Sequence, residues 1–366
     1  MKHPIFVLAC LAVFGCASEE QTTQQQEDTN ATEKLVVSDD PSAIAAINAV
    51  GAKTKKNDAG LIIEVNLRES QADDDTLKAI ASLEHVQSLL LNEIEISDDG
   101  LKALHSVTWP IANLDLRGCP VSNTGLEHLT GLSSLKALRL SGSNGQCTVD
   151  DDGMDSVAQL TQLKVLALDK LWISEVGIEK LLVLRDLEEL YLAETTVGDD
   201  DAALLLKLPG LRKLRLSRNQ ISDEGLKQLA ELKNLVELDL SEISQLSNDG
   251  MEPLSGLTGL QKLNLWRVPI GDAGVEHLSA LTNLEWLNLD NTMLSDAGLP
   301  FLANMKRLTF LHLGSTQVSD SGLPDLRHMT SLKDLKVTRT AVTPAGVDEL
   351  KKSLTNTDIQ LEYLGN

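Results

Sequence analysis

Basic residues are in short supply here: 32 Lys and Arg stand against 54 Asp and Glu, a net charge of −22. So acidic a surface repels nucleic acid and anionic membranes. Aromatic residues make up only 3% of the chain, and no basic, aromatic-interleaved patch offsets that repulsion. Nucleic-acid binding is therefore excluded as a working expectation. Long apolar runs are also lacking. The longest, Ile5 to Phe14, is too short to span a bilayer as a helix. Catalytic signatures are absent as well: there is no G-x-S-x-G, no phosphate-binding glycine loop and no Cys-His pairing. A non-enzymatic protein without a cofactor is expected.

What the chain does have begins with its first residues, MKHPIFVLACLAVFGC. Lys2 supplies a positive start, an apolar stretch follows, and Gly15 then precedes Cys16. Leu11 to Cys16 resembles a bacterial lipobox, which implies a signal peptide over 1–16, lipidation at Cys16 and a lipid-anchored place in the cell envelope. Ordinary cleavage after Ala17 is the alternative, and either route exports the chain. Loss of the leader removes Lys2, leaving 31 basic against 54 acidic residues, a balance of −23. Residues 17–34, ASEEQTTQQQEDTNATEK, hold too little apolar surface to fold and read as a disordered tether. At that length it reaches about 25 Å.

Residues 35–60 follow as an N-terminal cap, with a helix expected over SAIAAINAVGA. Beyond it a repeat governs the chain. Aligned on the first leucine of Leu-x-x-Leu-x-Leu, copies start at Val86, Ile111, Leu135, Leu163, Leu187, Leu211, Leu235, Leu260, Leu284, Leu308 and Leu332. A degenerate copy at Ile62 makes about twelve. Most steps are 24 residues, as from Leu284 to Leu308, and so short a period means stacked supersecondary units. In NLEWLNLDNTMLSDAGL (283–299), Leu287 and Leu289 alternate with Trp286, Asn288 and Asp290, which is strand periodicity with leucines inward. Ser295 suits a helix N-cap, Asp296 suits the positive helix end, and Leu299, Leu302 and Met305 form a buried stripe.

The full string, Leu-x-x-Leu-x-Leu-x-x-(Thr/Asn/Cys)-x-(Ile/Val)-Ser-Asp-x-Gly-Leu, resembles the leucine-rich repeat family over residues 61–354. It is similar to the helical variety of 24 residues found in bacterial envelope proteins and in eukaryotic F-box proteins. No F-box segment accompanies it, so no ubiquitin-ligase role carries over. The resemblance implies an α/β fold, a right-handed solenoid (horseshoe) with a parallel concave sheet and convex helices, closed by a C-terminal cap strand over 355–366. Its many unrelated partners leave function open. Insertions in SGSNGQCTVDDDG and SEISQLSNDG fall after the strand and become rim loops.

Three further expectations follow from the alignment. Cys119 and Cys147 lie in adjacent repeats near one edge, where a disulfide is permitted in an exported protein; two small buried residues are the alternative. Asp74, Asp98, Asp151, Asp199, Asp223, Asp272, Asp296 and Asp320 stack in one column, read as helix capping rather than a calcium ladder. The clusters at 73–75, 150–152 and 199–201 are the only places to look for an ion, the basis of a cation-binding structural or adhesive reading. His128 and His277 are expected to be solvated helix positions.

The outward strand positions vary and carry the candidate site. One column runs Glu189, Lys213, Glu237, Lys262, Trp286, Phe310 and Asp334, so alternating charges give way to two aromatics. The next holds Tyr191, Arg215, Asp239, Asn264, Asn288 and His312; a third holds Trp266, Asp290 and Gly314. Trp266, Trp286 and Phe310 are expected to converge, ringed by Asn264, Asn288, Asp290 and His312, with Tyr191 further along the same face. Such a patch suits a protein hot spot or the apolar face of a sugar ring. A protein ligand is the first reading and a glycan, polysaccharide or peptidoglycan, the second.

Overall fold

The computed structural model describes residues 38–362. The expected signal peptide, the Cys16 lipidation site and the tether lie outside them. No helix among the described residues is long and apolar enough to cross a membrane.

One sheet of 14 strands runs the length of the solenoid, with strands in sequence order. All its pairs are parallel except the first, where Lys53–Lys56 lies antiparallel to Ile62–Asn66. Most strands are three residues long because the repeat supplies one inward leucine between two outward positions. In Trp286–Asn288 the central Leu287 is fully buried while its neighbours are half-buried. Pairing holds register from copy to copy: Lys262 faces Trp286, and Trp286 faces Phe310. The leucine ladder thus fixes which side chains face outward together.

Past most strands the backbone turns through a left-handed residue. Ten non-glycine residues hold φ between 52° and 62°, among them Lys170, Glu194, Arg218, Glu242, Arg267 and Asn291. This conformation costs about 1 kcal/mol outside glycine. In most of them it persists because the amide remains in the inter-repeat ladder, as Glu242 N–H donates to Trp266 O at 2.7 Å. The Thr, Asn or Cys position that follows is buried and satisfied: Thr292 Oγ1 donates to Leu289 O at 2.8 Å and Asn219 Nδ2 to Leu192 O at 2.6 Å.

The Ser-Asp-x-Gly element joins neighbouring repeats. Most of the serines cap their own helix, as Ser295 Oγ accepts from Ala297 N–H. Each aspartate does more than offset a helix dipole. Its carboxylate accepts the backbone amide and the hydroxyl of the next repeat's serine or threonine: Asp272 takes Ser295 N–H at 2.8 Å and Oγ–H at 2.6 Å. The glycine follows from this clamp. A Cβ on Gly250 would overlap Asp223 Oδ1 and lie 2.5 Å from its carboxyl carbon.

Helices pack behind the sheet, but several are 3₁₀ rather than α. Asp249–Gly256 contains Pro253, Asp296–Leu302 contains Pro300, and Leu323–Leu326 has Pro324 near its start. Proline lacks the amide an α-helical interior requires, and the tighter turn tolerates the loss in short pieces. Burial is unaffected, since Leu299, Leu302 and Met305 are fully buried. At the N-terminal end Pro41–Ala49 forms a helix capped by Asp40. The strand Lys53–Lys56 after it was not anticipated from the sequence. Asp358–Gln360 is the last strand.

Cys119 and Cys147 are free, buried thiols, so the permitted disulfide is not formed. Burial pushes the Cys119 thiol up to about 12, and its Sγ–H donates to Leu91 O at 3.1 Å. Cys119 occupies the buried polar position that Thr and Asn fill elsewhere, which directs its sulfur to a carbonyl. His128 and His277 are half-buried rather than solvated. Stacking sets the His128 ring edge-on to His105 of the preceding repeat at 6.2 Å, a neighbour that helical spacing cannot reveal.

Candidate functional site on the concave sheet

Trp286 and Phe310 occupy equivalent positions on adjacent strands, and their rings stack at 5.0 Å with an interplanar angle of 4°. Parallel strands lie about 4.8 Å apart, so two flat side chains in one column meet face to face. His312 stands edge-on to Phe310 at 6.3 Å. On the far side Lys336 Nζ lies 5.5 Å from the Phe310 ring centroid, a cation–π distance. Asn288 and Asn264 share the neighbouring column and turn back to their own chain, Asn288 Oδ1 accepting Asp290 N–H and Asn264 Oδ1 accepting Trp266 N–H.

Trp266 takes no part in the stack. It lies two residues beyond the strand Lys262–Asn264, half-buried, and the Arg267 guanidinium sits 5.4 Å from its ring centroid. Past the strand end, outward alternation no longer dictates where a side chain points. Asp290 does stay with the cluster, through the glycine next to it in its own column. A Cβ on Gly314 would lie 2.8 Å from Asp290 Oδ1 and from Thr338 Oγ1, and 2.9 Å from His312 Nε2. The missing side chain lets these three polar groups converge. Burial holds His312 below its ordinary pKa; Asp290 opposes that shift and Lys336 reinforces it.

Toward the N-terminal side the stack borders a hollow of about 350 Å³. Tyr191 and Trp286 stand at opposite ends, with Arg215, Asp239, Lys262 and Asn264 between. The Tyr191 hydroxyl donates to Glu189 at 2.8 Å, and burial together with that carboxylate raises its pKa. Charged residues in and around the hollow are already paired. Lys213 lies 2.9 Å from Glu189 and 3.7 Å from Glu237, and Lys262 lies 3.1 Å from Glu237. Arg215 joins Asp169 and Asp239 at 3.3 and 3.4 Å.

A further ladder runs through the left-handed turn residues, and the sequence reading missed it. Lys170, Glu194, Arg218, Glu242 and Arg267 pair in succession at 3.4, 2.9, 2.6 and 3.1 Å. Its signal was an alternation of sign every 24 or 25 residues at the fourth position past the inward strand leucine. Exposed pairs of this kind contribute about 0–1 kcal/mol each. A ligand covering them must strip water from charges already satisfied, whereas the aromatic stack carries no such penalty.

Among the described residues no group of three or more His, Cys, Asp or Glu converges as a metal site. The aspartate clusters are committed to capping and clamping: Asp73 accepts from Thr76, Asp150 from Asp152, and Asp199 from Ser222.

Comparison with known proteins agrees with the architecture. A leucine-rich repeat family profile matches residues 209–230, and the sequence matches none of the curated proteins with which it was compared. An internalin from Listeria monocytogenes superposes with a TM-score of 0.58 at 18% identity, over 89% of this chain and 94% of that one. Internalin C2 from the same organism gives a TM-score of 0.45 at 27% identity, over 62% of this chain and 93% of the other. The chain folds as an α/β solenoid, a mostly parallel sheet backed by helices, matching the leucine-rich repeat horseshoe fold.

Proposed function

We propose that this chain is a non-enzymatic binding module of the bacterial cell envelope, anchored by lipid at Cys16, which holds a protein partner on its concave face. The Trp286–Phe310 stack carries the reading. Two large rings stand at outward positions on a face otherwise laced with ion pairs, and in a chain with so few aromatics no inward packing accounts for them. Half-buried aromatics bordered by Asn288, Asp290 and His312 have the character of an interface hot spot. The likeness to an internalin supports the scaffold and leaves the partner open.

The test is affinity capture from envelope extracts with wild-type protein and a Trp266→Ala, Trp286→Ala, Phe310→Ala variant that keeps its circular dichroism spectrum. Loss of the captured partners supports the reading; an unchanged set of partners sinks it. Conversion of Cys16 to Ser should move the protein into the soluble fraction, and retention at the membrane would refute the lipid anchor. A glycan is the second reading, favoured by the hollow between Tyr191 and Trp286, whose aromatic ends and polar floor suit a sugar. Glycan arrays separate the two. A melting shift on adding calcium would point instead to the structural, cation-binding role.

A further inference from the structure

Among the described residues the widely exposed large apolar side chains are Trp172 at 79%, Val176 at 55%, Val183 at 57% and Met293 at 50%. Three of these four belong to the fifth repeat. Trp172 stands two residues before the N-cap Ser174, Val176 lies in the first turn of Glu175–Leu181, and Val183 follows its end. Other repeats place Gln220 and Gln317 at the first of these positions. They place Asp152 and Ser321 at the second, and Gln159 and Lys207 at the third. The core of this repeat is already closed by Ile178, Leu181 and Leu184. Packing therefore calls for none of the three.

The same repeat departs from the pattern in its polar residues. Glu175 replaces the clamping aspartate, and Asp201 fills the next repeat's glycine position. Asp201 Oδ2 accepts the Gly198 amide at 2.7 Å, a bond the preceding repeat's carboxylate makes elsewhere. Around the apolar strip Asp152, Asp155, Glu175, Glu179 and Asp200 are all exposed. Lys180 beside them is tied to Asp155 at 2.9 Å and to Asp151 O at 3.0 Å, while at the Val183 end Arg185 and Lys207 are exposed cations. The carboxylate margin therefore lies along the Trp172 and Val176 end of the strip.

We propose that the outer side of the fifth repeat, Trp172, Val176 and Val183, docks a cationic amphipathic segment of a partner protein. Apolar side chains of that segment seat on the strip, and its Lys or Arg residues meet Asp152, Glu175, Glu179 and Asp200. Charge complementarity selects this occupant. A second copy of the chain, or an anionic membrane, would set negative charge against negative charge. The site lies away from the concave face and stands independently of the function proposed there.

Labelled peptides test it by fluorescence anisotropy: an amphipathic Lys/Leu helix, an oligolysine of equal charge and a Glu/Leu helix. The variant is Trp172→Gln, Val176→Ser, Val183→Gln, each change borrowed from another repeat. The Lys/Leu peptide is expected to bind wild type and to lose at least about tenfold in affinity on the variant. Oligolysine should bind both proteins equally and weakly. Equal Lys/Leu affinity for the two proteins overturns the proposal, as does equal binding of the Glu/Leu peptide. Strip-dependent self-association without peptide, read by light scattering, also overturns it by showing a second copy as the occupant. Trp172→Gln alone, expected to weaken binding in the same direction, keeps the test decisive if the triple variant unfolds.

Discussion

At the scale of single residues, burial separates the side chains that hold the fold from those free to do something else. Leu287 is fully buried between outward-facing Trp286 and Asn288, so Leu287→Ala should destabilise by about 2–5 kcal/mol in denaturant unfolding. A neutral result would mean the strand faces are reversed. Asp201 allows a pH test. Burial raises its pKa above the ordinary 3.8, Oδ1 has no hydrogen-bond partner, and the main offset is the Gly198 amide, which donates to Oδ2. A raised carboxyl pKa favours the fold most below 3.8, and that contribution is lost as pH rises through the folded value. Asp201→Asn keeps the acceptor without the charge. It should melt higher than wild type at neutral pH, with the advantage shrinking toward pH 3.8; a constant offset across that range would refute the account. Trp286 and Phe310 were legible in the sequence because strand alternation and a 24-residue period are both visible there. Trp266 was misplaced because it lies past the strand, where alternation lapses. Trp172 escaped notice because nothing in the strand columns points to the helix side.

At the scale of the repeating element, sequence legibility divides along a physical line. Inward leucines announce themselves by spacing, and the stack of elements follows. A carboxylate that reaches 23 residues onward to the next serine looks, in one dimension, the same as one that caps its own helix. Taken one repeat at a time, the Ser and Asp of Ser-Asp-x-Gly are two local helix-end preferences, whereas with the glycine they form one contact spread over two repeats. A double-mutant cycle tests that unity. Asp223→Ala removes a clamp to Ser247 and should cost about 1.5–3 kcal/mol, the range for hydrogen bonds to a charged group. Gly250→Ala should also destabilise, because its new methyl meets the Asp223 carboxylate. Combined, they should cost clearly less than the sum, since the first empties the space the second fills. Strict additivity would show that the glycine answers to something else.

For the molecule as a whole, stability is a sum along one direction, and the ends are where the sum is exposed. A sheet of successive parallel strands presents unpaired backbone at each terminus. The first strand, Lys53–Lys56, meets that hazard by lying antiparallel, fully exposed and three-quarters lysine. Glu64 holds Lys55 at 2.8 Å. Deleting residues 38–57 should leave Ile62–Asn66 as a bare edge and strip Ala43 and Ile47 from the core. The expected outcome is concentration-dependent association in sedimentation velocity, while the full chain stays unchanged under the same conditions; a truncated protein that remains monodisperse would count against it.

The antiparallel strand also has a consequence for how such a chain can change length. Stacked units of one sense form a lattice, and a lattice accepts another layer wherever the layers on both sides match. Duplicating an interior unit offers matched surfaces above and below. At the reversed strand the sense of the lattice ends, and a unit added outside it finds no complementary layer. Gain and loss of length are thereby confined to the interior, so that any face shaped by neighbouring units can be widened or narrowed without remaking the terminus.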